Sequence, residues 1–468
     1  MRYNLRGSKY SVVFLILIAV VISVLFGQLI TKSSYKISLI LIGGTIVFIV
    51  ALLDTDVGLS LLIASMLLSP EIVLAKVPGR DVVIRIDDVL LAVITFAWLA
   101  KTAIYKGLAI IVKTPLNKSI GLYLFFCYVA TLRGMALGYV VPEKGLFYLL
   151  RYTEYFLLFV IVSNQIHSRK QIKNFLATFF LVCSIVSVIG IMKIPSGERI
   201  SAPFEGPQGE PNTFGGYLLF ILCLAIGIFL YSVSPRLKSA MLALSALIIF
   251  PFFYTLSRSS YTAIIFSFLA LVVLSKKKTI LISVMVALIV AGIMVKPEAV
   301  FSRVKYTFQE EQASLARIGD IYLDSSSSER IFNWRDNLLR WKNYPILGRG
   351  VTGVPFIDGQ YILIIAEVGI LGLLAFLWLL WTILKQSMAI YRKINDDLYK
   401  GLALGFLTAL IGLMIHAITA NTFIIIRIME PFWFIAGIIM MLPTLEKEEK
   451  ESFNDRLKSE SNRTWILS

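Results

Sequence analysis

The stretch FYTLSRSSYTAIIF, residues 253–266, sets an arginine between two long apolar runs. Arg258 stands in the short gap where two membrane segments meet, and runs of the same kind recur along the chain. SVVFLILIAVVISVLFGQLI, residues 11–30, carries no charge over a length that crosses a ~30 Å hydrocarbon core as a helix. The 468 residues are 57% hydrophobic with a mean hydropathy of +0.80, above the roughly 45–50% apolar share of soluble chains. In lipid only helices and closed barrels satisfy every backbone group, and uninterrupted runs lack the alternation of a barrel. The expected fold is therefore all-α: a polytopic transmembrane helical bundle of about 12–14 spans.

Apolar length predicts spans near 11–31, 37–53, 57–75, 89–105, 119–137, 145–163, 174–193, 213–232, 240–255, 259–274, 279–296, 360–386, 401–421 and 429–443. The first reads as a membrane helix rather than a cleaved signal, since no small-residue cleavage site closes it. Basic loops such as IHSRKQIK and SKKKT fall on one alternating side. By the positive-inside rule that side is the cytoplasm, with both termini on it. The other side receives loops at 76–88, 194–212 and 297–359. The expected organisation is an N-terminal transmembrane bundle (1–296), an extracytoplasmic loop subdomain (297–359), C-terminal transmembrane helices (360–443) and a charged cytoplasmic tail (444–468). Within the large loop, Ser326 followed by Glu329 fits a capping box. Ile331, Trp334, Leu338 and Trp341 then recur at helical steps, so a helix is expected there, lying on the membrane surface or packed on its own domain.

On this topology the cytoplasmic side carries 17 lysines and 7 arginines, and the outer side 8 lysines and 13 arginines. Lysines suit anionic lipid heads on the inside. Arginine's planar fork binds carboxylate and phosphate through two parallel hydrogen bonds and stays charged. Arg133 and Arg151 fall in the outer halves of expected helices, and Arg258 and Arg427 at outer ends. An arginine at mid-bilayer costs at least about 2.5–3.5 kcal/mol, less near the interface. Their convergence on one face points to a polyanionic headgroup such as a lipid diphosphate. The plain alternatives are an Arg151–Glu154 pair, an Arg427–Glu430 pair one turn apart, and an Arg258 that snorkels. Cys127, Cys183 and Cys223 lie in apolar runs, and His167 and His416 lie far apart. No metal site is expected. Asp54-Thr55-Asp56 sits in a tight cytoplasmic turn, and the glycine-rich GRGVTG at 348–353 lacks the strand-to-helix setting of a nucleotide loop.

Three segments, RISAPFEGPQGEPNTFGGYLLF, TLSRSSYTAIIF and SSERIFNWRDNLLRWKNYPILGRGVTGVPFIDGQYILIIAEVGILG, occur in that order with a large outer loop between the second and third. With RIMEPFWFIAGI they span roughly 195–440, and over that span the chain resembles the O-antigen ligase and polymerase family of bacterial envelope polysaccharide assembly. The resemblance implies metal-independent, cofactor-free glycosyl transfer from an undecaprenyl-diphosphate-linked oligosaccharide at the outer face of the bacterial inner (cytoplasmic) membrane. It implies that Arg199 and Arg258 hold the donor diphosphate, with Arg151 and Arg133 as further candidates and Arg330 and Arg349 as loop contacts. Lipid A ligases of the family carry a histidine where this chain has Asp358. The departure favours polymerisation of repeat units, or ligation to another acceptor, with Asp358 as the proton acceptor. Glu367, deeper in the same helix, is expected to be a structural carboxylate paired with an arginine. The expected partners are the lipid-linked saccharide, the bilayer and a chain-length regulator, with no nucleic acid. A lipid-linked oligosaccharide flippase is the alternative from another class, but no internal repeat of the transporter kind is visible. A peptidoglycan-type polymerase is a nearer rival.

Overall fold

The computed structural model describes residues 35–75, 82–104, 111–205, 209–275, 277–283, 286, 308–309, 317–318, 321–323 and 325–466. The expected span 11–31, most of 279–296 and most of the loop 297–324 lie outside the described residues. The helices are α1 (Tyr35–Leu53), α2 (Thr55–Leu68), α3 (Ile86–Ile104), α4 (Asn117–Ala136), α5 (Pro142–Gln165), α6 (Arg169–Lys193), α7 (Pro211–Tyr231), α8 (Pro235–Tyr254), α9 (Arg258–Leu274), α10 (Ser325–Trp341), α11 (Gln360–Lys393), α12 (Asp397–His416) and α13 (Ile426–Ile466). Among the described residues eight helices are long and apolar enough to cross a membrane: α4 to α8, α11, α12 and the first part of α13. α9, at 17 residues, is apolar but shorter. The chain is a polytopic helical membrane protein.

Two expected spans end early. α2 stops at Leu68 because Ser69 precedes Pro70, which disfavours helix at the residue before it. Glu71–Ala75 (β1) then pairs antiparallel with Val82–Arg85 (β2). α12 stops at His416, after which the carbonyls of Ala417 and Ala420 turn to the amide N–H of Gln360 (2.9 and 3.3 Å). Three further short strands, Phe308–Gln309 (β3), Arg317–Ile318 (β4) and Ile321–Leu323 (β5), pair antiparallel in the order β3-β5-β4.

The chain forms two compact units, residues 1–59 with 89–108, and residues 60–88 with 109–468. In the first, Gly58 lies against Ala51 and Ile94, and the Lys101 ammonium donates to the Thr55 hydroxyl at 3.4 Å. In the second, α7 is the central helix, with 94% of its apolar window buried. It crosses α12 backbone to backbone at Gly227, Gly401 and Gly405. A Cβ on Gly227 would stand 2.3 Å from the Gly401 carbonyl oxygen. Small residues at a crossing let helices approach closely in lipid, where packing rather than water drives association.

α11 is broken, and a loop is spliced into the break. Gly369 has φ 76° and ψ −170°, a region open essentially to glycine alone. The N–H groups of Ile370 and Leu371 therefore donate to the loop carbonyls of Pro345 and Ile346 (2.9 and 3.3 Å). In return Arg349 N–H and Gly350 N–H donate to the α11 carbonyls of Ala366 and Glu367 (3.1 and 2.7 Å). The exchange satisfies irregular backbone beside a membrane helix, as a nonpolar surround requires. The segment PILGRGVTG is thus a packed insert.

The expected loop helix is α10. It begins at Ser325, so Ser326 falls in its first turn rather than capping it. It packs on α11 through Trp334, which meets the buried Ile357, Leu363 and Ala366.

Candidate functional site

The corner between α8 and α9 is organised around Arg258. α8 ends at Tyr254, and Ser257 caps α9 by accepting from Ser260 N–H. Arg258 is the first residue of α9 and is half-buried. Arg199 reaches the same corner from the loop after α6. Its guanidinium donates to the carbonyls of Thr255 and Leu256 (3.2 and 3.4 Å), and Ile200 N–H donates to the Tyr254 carbonyl at 3.1 Å. The two arginines that the resemblance implicates thus share one corner, with Arg199 exposed on it.

A chain of buried polar groups runs inward from this corner. Ser257 Oγ donates to Asn212 Oδ1 (2.7 Å), and Ser260 Oγ donates to Ser257 Oγ (2.9 Å). Ser260 Oγ also meets His416 Nε2 at 3.2 Å, and His416 Nδ1 meets Thr422 Oγ1 at 2.8 Å. The directions follow from the inventory of protons. Asn212 Oδ1 only accepts, so Ser257 and then Ser260 spend their hydroxyl protons along the chain. His416 Nε2 must then donate, and Nδ1 accepts from Thr422. Ser259 Oγ and Thr419 Oγ1 make a parallel link at 2.7 Å. α7, α9 and the end of α12 are tied together at the residues of the Pro-Asn and Ser-Arg-Ser segments. Sequence reasoning passed over His416 because it lies inside a membrane span. Its signal was the run of small hydroxyls after Ser257, which leaves one helix face in need of a partner.

Asp358 is presented just before α11. Asn421 Nδ2 donates to the Ile357 carbonyl (2.7 Å), Gln360 Oε1 accepts from Phe423 N–H (2.9 Å), and Trp334 Nε1 donates to the Asp358 carbonyl. Its carboxylate pairs with Arg330 of α10 at 3.1 Å, the Asp358 side chain being 43% exposed. Glu210, the residue before α7, lies within electrostatic reach of Asp358, Arg199 and Arg330. Its carboxyl is raised above the usual range. Loss of surrounding water is the largest cause and the Asp358 charge adds to it, while Arg199 and Arg330 oppose. Much of the residue's surface still meets solvent, so the effect is screened. Arg199, Arg330, Glu210 and Asp358 therefore form one charged group drawn from three segments.

The other arginines stand elsewhere. Arg151 pairs with Asp88 at 3.5 Å and lies 5.3 Å from the centre of the Phe147 ring, while its charge also reaches Glu154, the partner the sequence suggested. Beside it Arg85 pairs with Asp87 and lies 3.7 Å from Glu430. Oxygens of Asp87, Asp88 and Glu430 come within 4.8 Å of one another, a gathering of three carboxylates that sequence spacing did not reveal. Arg85 and Arg151 are the cations that stand against them. Arg427 is buried and donates to four carbonyls, those of Leu67, Ser69, Pro203 and Phe204, at 2.9–3.2 Å. Arg133 donates to the Gly348 carbonyl at 3.0 Å and, with Arg349, faces the Tyr344 ring. Glu367 accepts from Thr352 N–H at 2.9 Å, so its carboxylate serves the loop backbone.

Among the described residues three non-glycine residues adopt positive φ: Phe204 (61°), Leu256 (48°) and Thr352 (68°). Each presents a backbone group to a charged side chain. The Phe204 carbonyl meets Arg427, the Leu256 carbonyl meets Arg199, and the Thr352 N–H meets Glu367. Such backbone costs about 1–3 kcal/mol per residue and persists where the surroundings impose it.

Residues 243–377 match the family model described as O-Antigen ligase. The matched stretch holds Ser257, Arg258, Ser260, Arg330, Arg349, Asp358 and Glu367, whereas Arg199, Asn212 and His416 lie outside it. No curated protein matches the chain. That match runs across the helices and loop that bear Arg258 and Asp358.

Proposed function

We propose that this protein polymerises lipid-linked oligosaccharide repeat units by glycosyl transfer from an undecaprenyl-diphosphate donor, at the outer face of a bacterial inner membrane with both termini cytoplasmic. At the level of the family, the O-antigen ligase match supports polysaccharide-related glycosyl transfer. The observation that carries the finer reading is the gathering of Arg199, Arg330, Glu210 and Asp358 beside the corner that bears Arg258. Cations at that corner suit a leaving diphosphate, because fixed charges aimed at developing negative charge need no reorganisation during reaction. In the step, the acceptor hydroxyl oxygen attacks the anomeric carbon and the bond from that carbon to the diphosphate breaks. The hydroxyl proton passes to the Asp358 carboxylate, and undecaprenyl diphosphate leaves against Arg199, Arg258 and Arg330. Arg151, Arg133 and Arg349 stand in clusters of their own and are given no part in this step.

Asp358 in place of a histidine favours polymerase over lipid A ligase; transfer of finished polymer to another acceptor is the second reading. The test is a strain lacking the gene. The size distributions of its carrier-linked saccharides and of its surface polysaccharide are measured. Single repeat units on both carrier and surface acceptor are expected. Long chains stranded on the carrier, with a bare acceptor, make it a ligase. Single units held on the cytoplasmic leaflet overturn both readings in favour of a flippase. Complementation by Arg258→Ala should leave the mutant profile in place while the protein inserts normally; wild-type polymer from that variant sinks the diphosphate role.

A further inference from the structure

A second cationic cluster stands apart from the corner just described. Arg133 comes from the last turn of α4 and Arg349 from the loop spliced into α11. The guanidinium carbons of Arg133 and Arg349 lie 5.6 and 5.4 Å from the centre of the Tyr344 ring, and Arg349 also lies 5.3 Å from that of Tyr139. The two tyrosine hydroxyls are hydrogen-bonded to each other and the rings sit 5.2 Å apart. One Arg133 nitrogen donates to the Gly348 carbonyl. Among the described residues no carboxylate pairs with either arginine. The Arg349 guanidinium finds no acceptor there, and its Nε is buried without one.

Two fixed positive charges beside a shared ring repel each other and call for a counter-charge. A ring at these distances supplies no hydrogen-bond acceptor, so most of the N–H groups, which hold carboxylate or phosphate in two parallel bonds, are left for another partner. The loop amides of Arg349 and Gly350 bond to Ala366 and Glu367 of α11. At 1.5 Å per residue that lies about 9 Å along the helix from Gln360, beside Asp358. One loop thus presents both Arg349 and Asp358.

We propose that Arg133 and Arg349, set beside the paired rings of Tyr139 and Tyr344, form an oxyanion site distinct from the Arg199–Arg258 corner, taking a carboxylate or phosphate. An acidic sugar of the saccharide being extended and an anionic lipid headgroup both supply that chemistry. The saccharide role rests on the glycosyl-transfer reading; anion binding as such does not.

The test uses full-length protein in nanodiscs. In neutral phosphatidylcholine discs, calorimetry follows binding of a tetrasaccharide containing two glucuronates and of its carboxyl-reduced counterpart. In discs that also contain phosphatidylglycerol, lipid mass spectrometry measures enrichment of that lipid on the protein. For a saccharide site, the acidic tetrasaccharide binds at least about tenfold more tightly than the reduced one, and Arg349→Gln and Arg133→Gln each lose about tenfold. For a headgroup site, neither saccharide binds but phosphatidylglycerol enrichment falls in both variants. Arg133→Gln keeps a donor for the Gly348 carbonyl, so it remains informative where Arg349→Gln fails to fold. Wild-type binding and enrichment in both variants overturn the site, as does a wild-type protein that takes up neither anion. Equal loss of acidic binding in Arg258→Gln merges the two clusters and overturns a distinct site while leaving the diphosphate reading intact. Failure of the gene-deletion test removes the saccharide role but does not change these binding results.

Discussion

Replacing Gly369 by alanine tests the splice between α11 and its loop. The residue's φ of 76° and ψ of −170° cost an L residue about 1–3 kcal/mol. The new Cβ would also stand 2.3 Å from the Ile346 carbonyl oxygen and 2.6 Å from Leu347 N, both backbone atoms that cannot rotate away. Relief requires moving the loop, which loosens the four exchanged hydrogen bonds at Arg349, Gly350, Ile370 and Leu371. These are worth about 1 kcal/mol each when intact. Partial loss added to the backbone term gives a destabilisation of roughly 3–5 kcal/mol. Thermal unfolding in nanodiscs reads it as a drop of several degrees, since a chain of this size shifts by no more than about 2 °C per kcal/mol. Hydrogen exchange at 345–353 should quicken as the loop detaches. The control is Gly121→Ala in α4, where nothing lies within 4 Å of the new methyl and a change between neutral and about 1 kcal/mol stabilising is expected. A Gly369→Ala protein that melts with the wild type and keeps slow exchange at 345–353 refutes the splice.

Arg427→Met leaves four carbonyls without their donor. A loss of about 1–3 kcal/mol for each carbonyl that stays buried without a donor is expected; an unfolding midpoint within error of wild type contradicts it. For Glu210 the raised carboxyl sets the sign of the pH effect. Its stabilising contribution is complete below the ordinary carboxylate range and is lost as pH rises through the raised value. Glu210→Gln should therefore gain stability over wild type at neutral pH and lose that advantage in acid; a gap independent of pH across the acid range removes Glu210 as its source. On the proposed transfer, Asp358→Asn keeps the shape but withdraws the proposed proton acceptor, and polymer formation should fall by about 10²–10⁴-fold with the Trp334 contact to its carbonyl retained; unchanged turnover dismisses it as base. His416→Leu strands the hydroxyls of Ser260 and Thr422 at about 1–3 kcal/mol each, whereas His416→Gln, with a donor and an acceptor, should recover part of that stability. Equal melting of the two variants argues against the hydrogen-bonded chain.

Helix placement was legible because apolar length is a local property. The expected spans 119–137, 145–163 and 213–232 agree with α4, α5 and α7 to within a few residues. Where the expectation ran long, at 57–75 and 401–421, the cause was a Pro-adjacent stop and a tertiary hydrogen bond to Gln360, the second of which no window of hydropathy carries. The shared corner of Arg199 and Arg258 was legible only through a resemblance between segments more than 50 residues apart. Arginine partners were not legible. Arg151 turns to Asp88, 63 positions away, and Arg427 to carbonyls of two distant loops. An i,i+3 pairing is the nearest answer for a helix read alone, and packing supplied better partners.

The direction of the buried hydroxyl chain bears on which group takes the proton. Asn212 Oδ1 accepts at the outer end, so every proton in the chain points toward it. His416 donates from Nε2 and spends its Nδ1 lone pair on Thr422. It has no free lone pair to offer a substrate, and its full burial denies it contact with one. Its work is positional: it fixes Ser260, which fixes Ser257, whose cap on α9 sets where Arg258 begins the helix. On the proposed transfer, the proton acceptor comes from outside this run of hydroxyls. Asp358 and Glu210 are the carboxylates gathered with Arg199 and Arg330, and they differ in kind. Lost water and the charge of Asp358 push the Glu210 carboxyl above its usual range, an effect screened by the solvent it still meets, while Asp358 is held by Arg330 at 3.1 Å with nearly half its side chain open to solvent. Of the two, Asp358 offers a charged, reachable oxygen to an incoming hydroxyl, on a segment that α10, α11 and the α12–α13 connection all hold in place.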